Sequence, residues 1–343
     1  MNTSDHDLFD EFTPADTDLL ASLNPSQKAA ASHVDGPLLI LAGPGSGKTR
    51  VIIHRVAHMI AQGVPSHQIV ALTFTNKAAD EMRARLDDVL NEHHAWTGTF
   101  HRFCSRLLRV YSPLVGLHEN FTIYDHGDSK RVLKQAVNES KVPLSHYSVD
   151  QIHNKISFAK SNAYLPDHWS EVATSHLDKI VAKIYPAYQK LLREANAMDF
   201  DDMLMYVVQI LRENPDLREE LDAKHRYLIV DEYQDTNTAQ YLILKGLSQT
   251  HRNLAVTGDP DQSIYGWRGA EVEHILRFAR DWPDAKVVRL EDNYRSSGSI
   301  IDMANRLIVF NSKRHDKVLR ASRGMGQKPQ ILQFPNETQE AAE

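Results

Sequence analysis

The sequence predicts an α/β fold in which a parallel sheet carries a phosphate-binding loop and a helical insertion interrupts the chain. Three observations lead to this prediction. A glycine-rich turn directly follows the apolar run at 38–41. Short apolar runs alternate with amphipathic helical segments before residue 110 and again after residue 198. The segment between them, 111–197, shows helical periodicity with polar faces and few strand signals.

Composition limits the classes of protein to which the chain can belong. With 343 residues, 42% of them hydrophobic, it can bury one large core or two to three smaller ones. The net charge of -6 gives no global positive field, so any contact with nucleic acid must be a local patch. The single cysteine, Cys104, excludes a disulfide framework within the chain and a multi-thiolate zinc site, and we expect it to be a small buried hydrophobe.

The first residues predict a solvated start and no membrane segment. Residues 1–20 contain six acidic side chains and no lysine or arginine, which is typical of a disordered lead-in. No apolar run approaches the ~20 residues that a membrane span needs, and the N-terminus lacks the pattern of a signal peptide. We therefore expect a cytoplasmic protein. The ordered chain should begin near Leu23, with Asn24 capping a helix that starts at Pro25 and carries Gln27.

The run LLILAGPGSGKTR at 38–50 predicts a phosphate-binding loop. Its glycines allow positive φ and close approach to an anion, which the N-terminus of the following helix also attracts. Lys48 should reach the β- and γ-phosphates, and Thr49 should ligate Mg²⁺. Ala42 stands where the common pattern G-x-x-x-x-G-K-[ST] has its first glycine. A chance glycine turn is the alternative, but the strand before it and the helix after it favour the phosphate loop.

Further strand and helix signals follow this loop. HQIVALTFT and AWTGTF predict short buried strands, and each precedes an amphipathic helix. The second of these helices carries Arg102, Arg106 and Arg109 on one stripe. This stripe is equally compatible with phosphate contacts and with a solvated face. Three acids later in the chain, Asp199, Asp201 and Asp202, cluster at a predicted helix start, where we expect them to cap the helix rather than to bind a metal.

Two later segments predict the remainder of a nucleotide site. RYLIVDEYQDTN places Asp231 and Glu232 after a buried strand at 227–230, where Asp231 can hold Mg²⁺ and Glu232 can activate a water molecule. The alternative is a surface pair of acids at the end of a strand. NLAVTGDPDQSIYGWRGA places Gln262 after a second strand, where its amide can sense a γ-phosphate.

The same segment ends in a loop with two aromatic residues. Tyr265 and Trp267 stand beside Arg268 in a loop punctuated by glycines, which is a plausible platform for stacked bases. Burial of both rings in the core is the alternative. The flanking glycines and charges favour exposure.

These motifs, taken in order, resemble the N-terminal part of a UvrD/Rep-type superfamily-one DNA helicase. The matching segments, which span 23–297, are LNPSQ, AGPGSGKT, TFTNKAADEM, GTFHRFC, DFDDML, LIVDEYQDTN, GDPDQSIYGWRGA and LEDNYRSS. The resemblance implies two RecA-like domains that clamp ATP, with single-stranded DNA crossing above them and translocation from 3′ to 5′. It also implies a role in DNA repair, recombination or replication, with 3′-tailed duplex as a substrate.

The resemblance also implies a role for individual residues. Gln27 would read adenine, Arg50 and Tyr294 would sandwich it, Gln262 would couple the γ-phosphate to DNA, and Arg295 would be an arginine finger. The nucleotide-binding loop would consist of Ala42, Gly43, Pro44, Gly45, Ser46, Gly47, Lys48, Thr49 and Arg50. The DNA contacts would come from Phe74, His101, Tyr265, Trp267 and Arg268. One departure is Arg102, which stands where the family often has serine.

The resemblance divides the chain into domains. It implies a first RecA-like domain at 21–110 and 198–285, the insertion at 111–197, and the beginning of a second RecA-like domain at 286–343. KVVRL and KPQILQF should form opening strands of that second domain. The later family motifs are absent, so we expect a fragment that binds MgATP and single-stranded DNA, fixes Arg295 poorly, hydrolyses ATP slowly and does not unwind DNA. Two alternatives remain, a helicase–nuclease subunit and a truncated ATP-binding module without unwinding activity.

Overall fold

The computed structural model describes residues 19–90 and 93–342. The acidic lead-in predicted for 1–20 therefore lies almost wholly outside the described residues. The strands are β1 (Leu38–Ala42), β2 (Ile69–Thr73), β3 (Trp96–Thr99), β4 (Thr122–Ile123), β5 (Ala197–Met198), β6 (Tyr227–Val230), β7 (Leu254–Gly258), β8 (Lys286–Leu290), β9 (Asp292–Asn293) and β10 (Arg320–Ala321).

The helices follow the predicted amphipathic segments. They are α1 (Pro25–Ala31), α2 (Lys48–Ala61), α3 (Asn76–Val89), α4 (Phe100–Tyr111), α5 (His126–Ser140), α6 (Val149–Ser161), α7 (Pro166–Val172), α8 (His176–Glu194), α9 (Phe200–Glu213), α10 (Pro215–Lys224), α11 (Thr238–Gly246), α12 (Glu273–Leu276), α13 (Phe278–Asp281), α14 (Gly298–Ile308) and α15 (Glu337–Ala342). As predicted, Asn24 caps α1 and Pro25 is its first residue.

A six-stranded parallel sheet forms the centre of the described chain. Its strand order is β3-β2-β6-β7-β1-β8, and every pairing in it is parallel. The α/β fold class with a parallel sheet is confirmed. Because all six strands run the same way, the loops after β1, β6 and β7 meet at one edge of the sheet.

Side chains of the central strands alternate between two hydrophobic cores, one on each face of the sheet. Along β1, Leu39 and Leu41 enter one core, whereas Leu38 and Ile40 enter the other. Cys104 of α4 is fully buried in the first core, and burial raises the pKa of its thiol far above the usual range. The prediction that it is a buried hydrophobe is therefore confirmed.

The insertion forms a third core of its own. Helices α5, α6, α7 and α8 pack around residues such as Ile152, Val181 and Tyr188, and the short strand β4 pairs with β5 at the return point of the chain. Arg109 of α4 lies at this junction. Its guanidinium donates to the carbonyl oxygens of Glu119 and Phe121 and lies 3.7 Å from the Phe121 ring centroid. Arg109 thus binds protein carbonyls, while Arg102 and Arg106 are exposed.

One strand prediction for the last part of the chain is confirmed and one needs correction. KVVRL forms the predicted strand, β8, which pairs with β1 as the edge strand of the central sheet. KPQILQF forms no strand, and its Ile331 and Leu332 are 89% and 64% exposed. A strand needs a neighbour that pairs with its backbone, and the described residues place none beside it. The only pairing after β8 in the described part is the short ladder of β9 with β10.

Candidate nucleotide and nucleic-acid sites

The turn between β1 and α2 has the geometry of a phosphate cradle. Gly45 and Gly47 have φ of 67° and 85°, in the left-handed region that favours glycine. α2 begins at Lys48, so its first free N–H groups face the turn. Ala42 is the last residue of β1 and is fully buried in extended backbone, which explains why this position does not require glycine.

Gln27 supports the cradle from α1. Its side-chain amide donates to the carbonyl of Ser46 at 3.0 Å and accepts from the N–H of Asn24 at 3.1 Å. The Ser46 hydroxyl in turn donates to the carbonyl of Gly43 at 2.7 Å. The structure therefore places Gln27 against the phosphate loop, where its buried amide helps to hold the turn.

The acid pair after β6 lies beside the first residue of α2. Lys48 Nζ is 3.1 Å from Glu232 Oε2, and the N–H of Glu232 donates to Asp231 Oδ1 at 2.9 Å. Glu232 has φ of 51°, an uncommon backbone conformation for a residue other than glycine. This turn of the backbone puts the Asp231 and Glu232 side chains at the same edge of the sheet as the phosphate loop.

The donor set at this edge fits Mg²⁺. Burial and the neighbouring Glu232 carboxylate raise the pKa of Asp231 to about 6, so a nearby cation would stabilise its ionised form. Thr49 lies in the first turn of α2 and offers a hydroxyl oxygen. Carboxylate and hydroxyl oxygens are the hard ligands that Mg²⁺ prefers, with phosphate oxygens and water completing its shell.

Gln234 joins the two acidic loops, a role that the sequence analysis missed. Its amide nitrogen donates to Glu232 Oε2 at 2.9 Å, and its amide oxygen accepts from the N–H of Asp259 at 3.0 Å. The fit is close, because a Cβ atom at Gly258 would lie 2.5 Å from Gln234 Oε1. The signal available in the sequence was a glutamine two positions after the paired acids Asp231 and Glu232.

Three further nucleotide-site predictions fall around the same cradle. The N–H of Tyr294 donates to the carbonyl of Gly45 at 2.9 Å, and its hydroxyl accepts from the side chain of Asn24 at 2.8 Å. A Cβ atom at Gly45 would lie 2.6 Å from the Cβ of Arg295. Arg50 is exposed on the neighbouring turn, where it donates to the carbonyl of Ser22 at 3.1 Å. The structure thus brings Arg50, Tyr294 and Arg295 around the cradle.

A second site opens beside the ends of β2 and β3. It is a cavity of about 600 Å³, and all of the residues predicted to contact DNA line it. These residues are Phe74, His101, Tyr265, Trp267 and Arg268. The insertion supplies another wall through α6, with Asn154, Ser157, Phe158 and Ser161. The sequence analysis attached no chemistry to α6, because no local motif marks these residues.

The aromatic loop of this cavity is exposed rather than part of the core. Trp267 is 75% exposed and Tyr265 is 39% exposed. Their ring centroids are 6.4 Å apart. The Arg268 guanidinium lies 4.6 Å from the Trp267 centroid, which keeps a cation over the indole. These flat faces are therefore available for stacking.

His101 contributes a neutral ring to the cavity. Burial lowers its pKa to about 4, so it carries no charge at neutral pH. Its ring centroid is 5.2 Å from that of Phe200. His101 can therefore offer a hydrogen bond or a ring face, but not a cation for phosphate.

A buried ion pair fixes α6 behind the cavity. Lys160 Nζ lies 2.6 Å from Asp199 Oδ2 and 2.8 Å from Asp202 Oδ1. Asp199 also caps α9 by accepting from the N–H of Asp202 at 2.9 Å, which agrees with the predicted capping role. The third acid, Asp201, lines the cavity, and burial with the nearby Asp199 charge raises its pKa to about 6. The acids that begin α9 therefore also anchor the insertion.

Comparison with known proteins decides the family. A sequence model described as the UvrD/REP helicase N-terminal domain matches residues 23–283. This chain belongs to the UvrD/REP helicase family. A second model, the UvrD-like helicase C-terminal domain, matches residues 288–343 and begins within β8.

Individual relatives agree with this assignment. The ATP-dependent DNA helicase PcrA of Bacillus subtilis is 42% identical over 322 residues, which are 93% of this chain and 44% of that protein. PcrA of Staphylococcus aureus is 39% identical over 326 residues, covering 94% of this chain and 45% of the relative. The chain thus spans less than half the length of these relatives. Within the described residues, no helix is both long and apolar enough to cross a membrane.

Proposed function

We propose that this chain is the ATP-binding part of a DNA helicase that couples MgATP hydrolysis to 3′-to-5′ movement on single-stranded DNA. One observation carries the proposal. Two short segments, 231–237 and 259–268, each begin at the edge of the sheet that carries the phosphate loop, here called the nucleotide edge. Both end in the cavity lined by Phe74, Tyr265 and Trp267, here called the aromatic cavity. A change at the phosphates therefore reaches the cavity through a few residues of continuous chain.

The nucleotide edge supplies each group that phosphoryl transfer needs. Lys48 and the cradle N–H groups would bind the β- and γ-phosphates, while Asp231 and Thr49 would hold Mg²⁺, which neutralises phosphate charge when bound. Glu232 would accept a proton from the attacking water. Its pairing with Lys48 means that phosphate binding would draw the lysine away and free the carboxylate. Arg295 would neutralise charge that develops in the transition state.

The adenine end would be formed by residues of α1, α2 and the segment after β8. The N–H of Tyr294 donates to the Gly45 carbonyl, and Arg50 donates to the Ser22 carbonyl. These two side chains would enclose the base, and Gln27, which donates to the Ser46 carbonyl, would read it. Gln262 lies one turn after β7, and its amide donates to Asp259 Oδ2 at 2.7 Å. This amide would sense the γ-phosphate and pass the change to Tyr265 and Trp267 further along the loop.

The cavity would hold bases of single-stranded DNA. Trp267, Tyr265 and Phe74 offer ring faces, and Arg268 supplies the positive charge that a chain of net charge -6 lacks overall. We extend the proposal to 3′-tailed duplex as substrate, to DNA repair, recombination or replication as the process, and to the cytoplasm as the location. The PcrA relatives, which are named ATP-dependent DNA helicases, support the helicase part of this proposal.

Binding linkage tests this proposal without requiring turnover. The affinity of the chain for a fluorescent oligo-dT should differ severalfold with and without MgATPγS, and DNA should change the MgATPγS affinity by the same factor. Lys48→Ala should still bind oligo-dT but should lose the linkage. Equal oligo-dT affinity with and without nucleotide, in a chain that binds both ligands, would refute the coupling.

A further inference from the structure

We infer that Lys317 is a positioning residue for Gln262, through which the segment after α14 controls discrimination between ATP and ADP. Lys317 lies between α14 and β10, outside every motif of the sequence analysis, and is 8% exposed. Its Nζ contacts Asp259 Oδ1, and it lies 2.6 Å from Asp261 Oδ2. The inference rests on the γ-phosphate role proposed for Gln262.

The Asp259 carboxylate is shared between Lys317 and Gln262. Its Oδ2 accepts from the Gln262 amide at 2.7 Å, while its Oδ1 contacts Lys317 and accepts from the N–H of Asp261 at 3.0 Å. Both ends of this carboxylate are thus occupied. The direction of the Gln262 amide therefore depends on where Lys317 holds Asp259.

Two neighbouring buried carboxylates explain why a cation is needed beside Asp259. The Asp259 and Asp261 side chains are 1% and 5% exposed, and Lys317 contacts both. The next cation, Arg314, lies 3.7 Å from Asp261 Oδ2. Buried carboxylates repel each other and are costly without a partner, so loss of Lys317 should turn the loop and Gln262 out of place.

The segment that carries Lys317 also lies against the phosphate cradle. A Cβ atom at Gly43 would clash with Leu319 Cδ2, and the Asn293 amide donates to the carbonyl of Pro44 at 2.6 Å. β10, next to Leu319, pairs with β9, which contains Asn293. Lys317 and Leu319 thus place one segment on both nucleotide loops, so movement of that segment acts on Gln262.

The test compares MgATPγS with MgADP by titration calorimetry on the whole chain. Lys317→Met should reduce the preference for ATPγS over ADP on the order of tenfold, as loss of a charged hydrogen bond would, and Gln262→Ala should have the same effect. ADP affinity should stay within about twofold, since the phosphate cradle remains. Lys317→Arg should restore most of the preference. A purely structural lysine would affect both nucleotides alike.

Lys313→Met is the matched control, because Lys313 lies on the same segment in an exposed ion pair with Glu273. It should leave the preference unchanged. If Lys317→Met does not fold, Asp261→Asn with Lys317→Met removes one of the buried anions and should still lose the preference. A normal preference in Lys317→Met, or in Asp261→Asn with Lys317→Met, while Gln262→Ala is altered, overturns the inference alone. A parent chain without any preference overturns the proposed role of Gln262 and this inference together.

Discussion

At the scale of single residues, the ion pair between Lys48 and Glu232 joins the phosphate loop after β1 to the acid pair after β6. The lysine side chain is 12% exposed and the glutamate side chain 37% exposed, so the pair lies at the mouth of the site. If Lys48 binds phosphate as proposed, it must leave Glu232 when phosphate arrives. Phosphate binding would then free the carboxylate proposed as the base, because both partners compete for the same ammonium group.

Lys48→Ala should weaken MgATP binding by about 10- to 100-fold, the loss expected for a charge-assisted hydrogen bond. Asp231→Ala should instead reduce the dependence of binding on Mg²⁺. Calorimetric titration with ATP, with and without Mg²⁺, measures both effects. Exposed Lys77 of α3 provides the control Lys77→Ala, which should bind like the parent. Parental ATP affinity in Lys48→Ala would contradict the phosphate role.

Trp267→Ala should weaken binding of single-stranded DNA by about 1 to 3 kcal/mol without changing its dependence on salt. Its melting temperature should match that of the parent, because the indole is 75% exposed. Arg268→Gln is the informative comparison, since loss of one phosphate contact should lower the salt slope by about 0.7. Intact DNA affinity with a lower melting temperature would show that the indole serves packing instead.

His225 predicts a pH dependence of stability. Burial, with the charges of Lys224 and Arg106, lowers its pKa to about 4 from 6.5. Between these values the unfolded chain binds the proton and the folded chain does not, so this contribution to stability is complete above pH 6.5 and declines as the pH falls. Relative to His225→Gln, the parent should lose about 1 to 2 kcal/mol of unfolding free energy by pH 5.

Urea unfolding at pH 7.5 and at pH 5 measures that difference. Using the difference between parent and variant removes the opposing contributions of the carboxyls whose pKa is raised, such as Asp231. His118→Gln, at an exposed histidine, should track the parent at both pH values. A constant gap between parent and His225→Gln would contradict the prediction.

Residues within local motifs could be predicted from the sequence, whereas residues defined by long-range contacts could not. Trp267 and His101 are each marked by the loop or strand around them, and the structure brings both to one cavity. Lys317 meets Asp259 across 58 positions of sequence, and Ser157 reaches the cavity from the insertion. A single sequence contains no periodicity or spacing that links such positions.

At the scale of elements, helix α6 connects the insertion to the aromatic cavity and to α11. It lines the cavity with Ser157 and Phe158, and at its C-terminal end Asn162 accepts from the Thr238 hydroxyl at 3.0 Å. Thr238 begins α11, directly after the acidic loop 231–237. α6 is thereby held to α11 by a hydrogen bond at its end and to the start of α9 by the buried Lys160.

Lys160→Met should destabilise the fold by about 3 to 5 kcal/mol, because it leaves Asp199 and Asp202 buried without their cation. Chemical denaturation measures this loss. Lys130→Met removes a surface pair with Asp150 and should cost at most about 1 kcal/mol. Similar losses in the two variants would contradict the proposed anchoring of α6.

The sequence predicts the positions of helices better than it predicts which strands pair. Pro25, Asn24 and the amphipathic period place α1 to α4 correctly, because caps and periodicity act locally. The partner of β8 could not be predicted, since an apolar run shows that a strand forms but not which neighbour it joins. The side chains of Lys286 and Val287 are exposed, as an edge position allows.

At the scale of the whole molecule, the part after β8 is small and open. α14 and the turn after it expose the apolar side chains of Ile300, Leu307 and Phe310, which are 50%, 69% and 83% exposed. The backbone next to Arg295 contacts the cradle through the Asn293 amide and the N–H of Tyr294. We therefore expect the described residues to suffice for binding of nucleotide but not for movement along DNA.

The purified 343-residue chain should bind MgATP and single-stranded DNA but should not unwind a 3′-tailed duplex. Unwinding requires two rigid bodies that close and open with the nucleotide state. After β8, the described residues offer the β9–β10 ladder, the short helix α15 and α14, whose apolar face lacks a packing partner in this part of the chain. Hydrolysis should also be slow, because an arginine finger contributes about 10³ to 10⁵ in rate only when its side chain is held at the phosphates.

A strand-displacement assay with ATP and a labelled 3′-tailed duplex measures this directly, beside a 5′-tailed duplex that tests direction. Oligo-dT binding by the same preparation is the control for a folded aromatic cavity. Robust ATP-dependent unwinding would show that the cradle contacts of Asn293 and Tyr294 suffice to transmit the nucleotide state. In that case Asn293→Ala, which removes the amide contact to Pro44, should abolish unwinding.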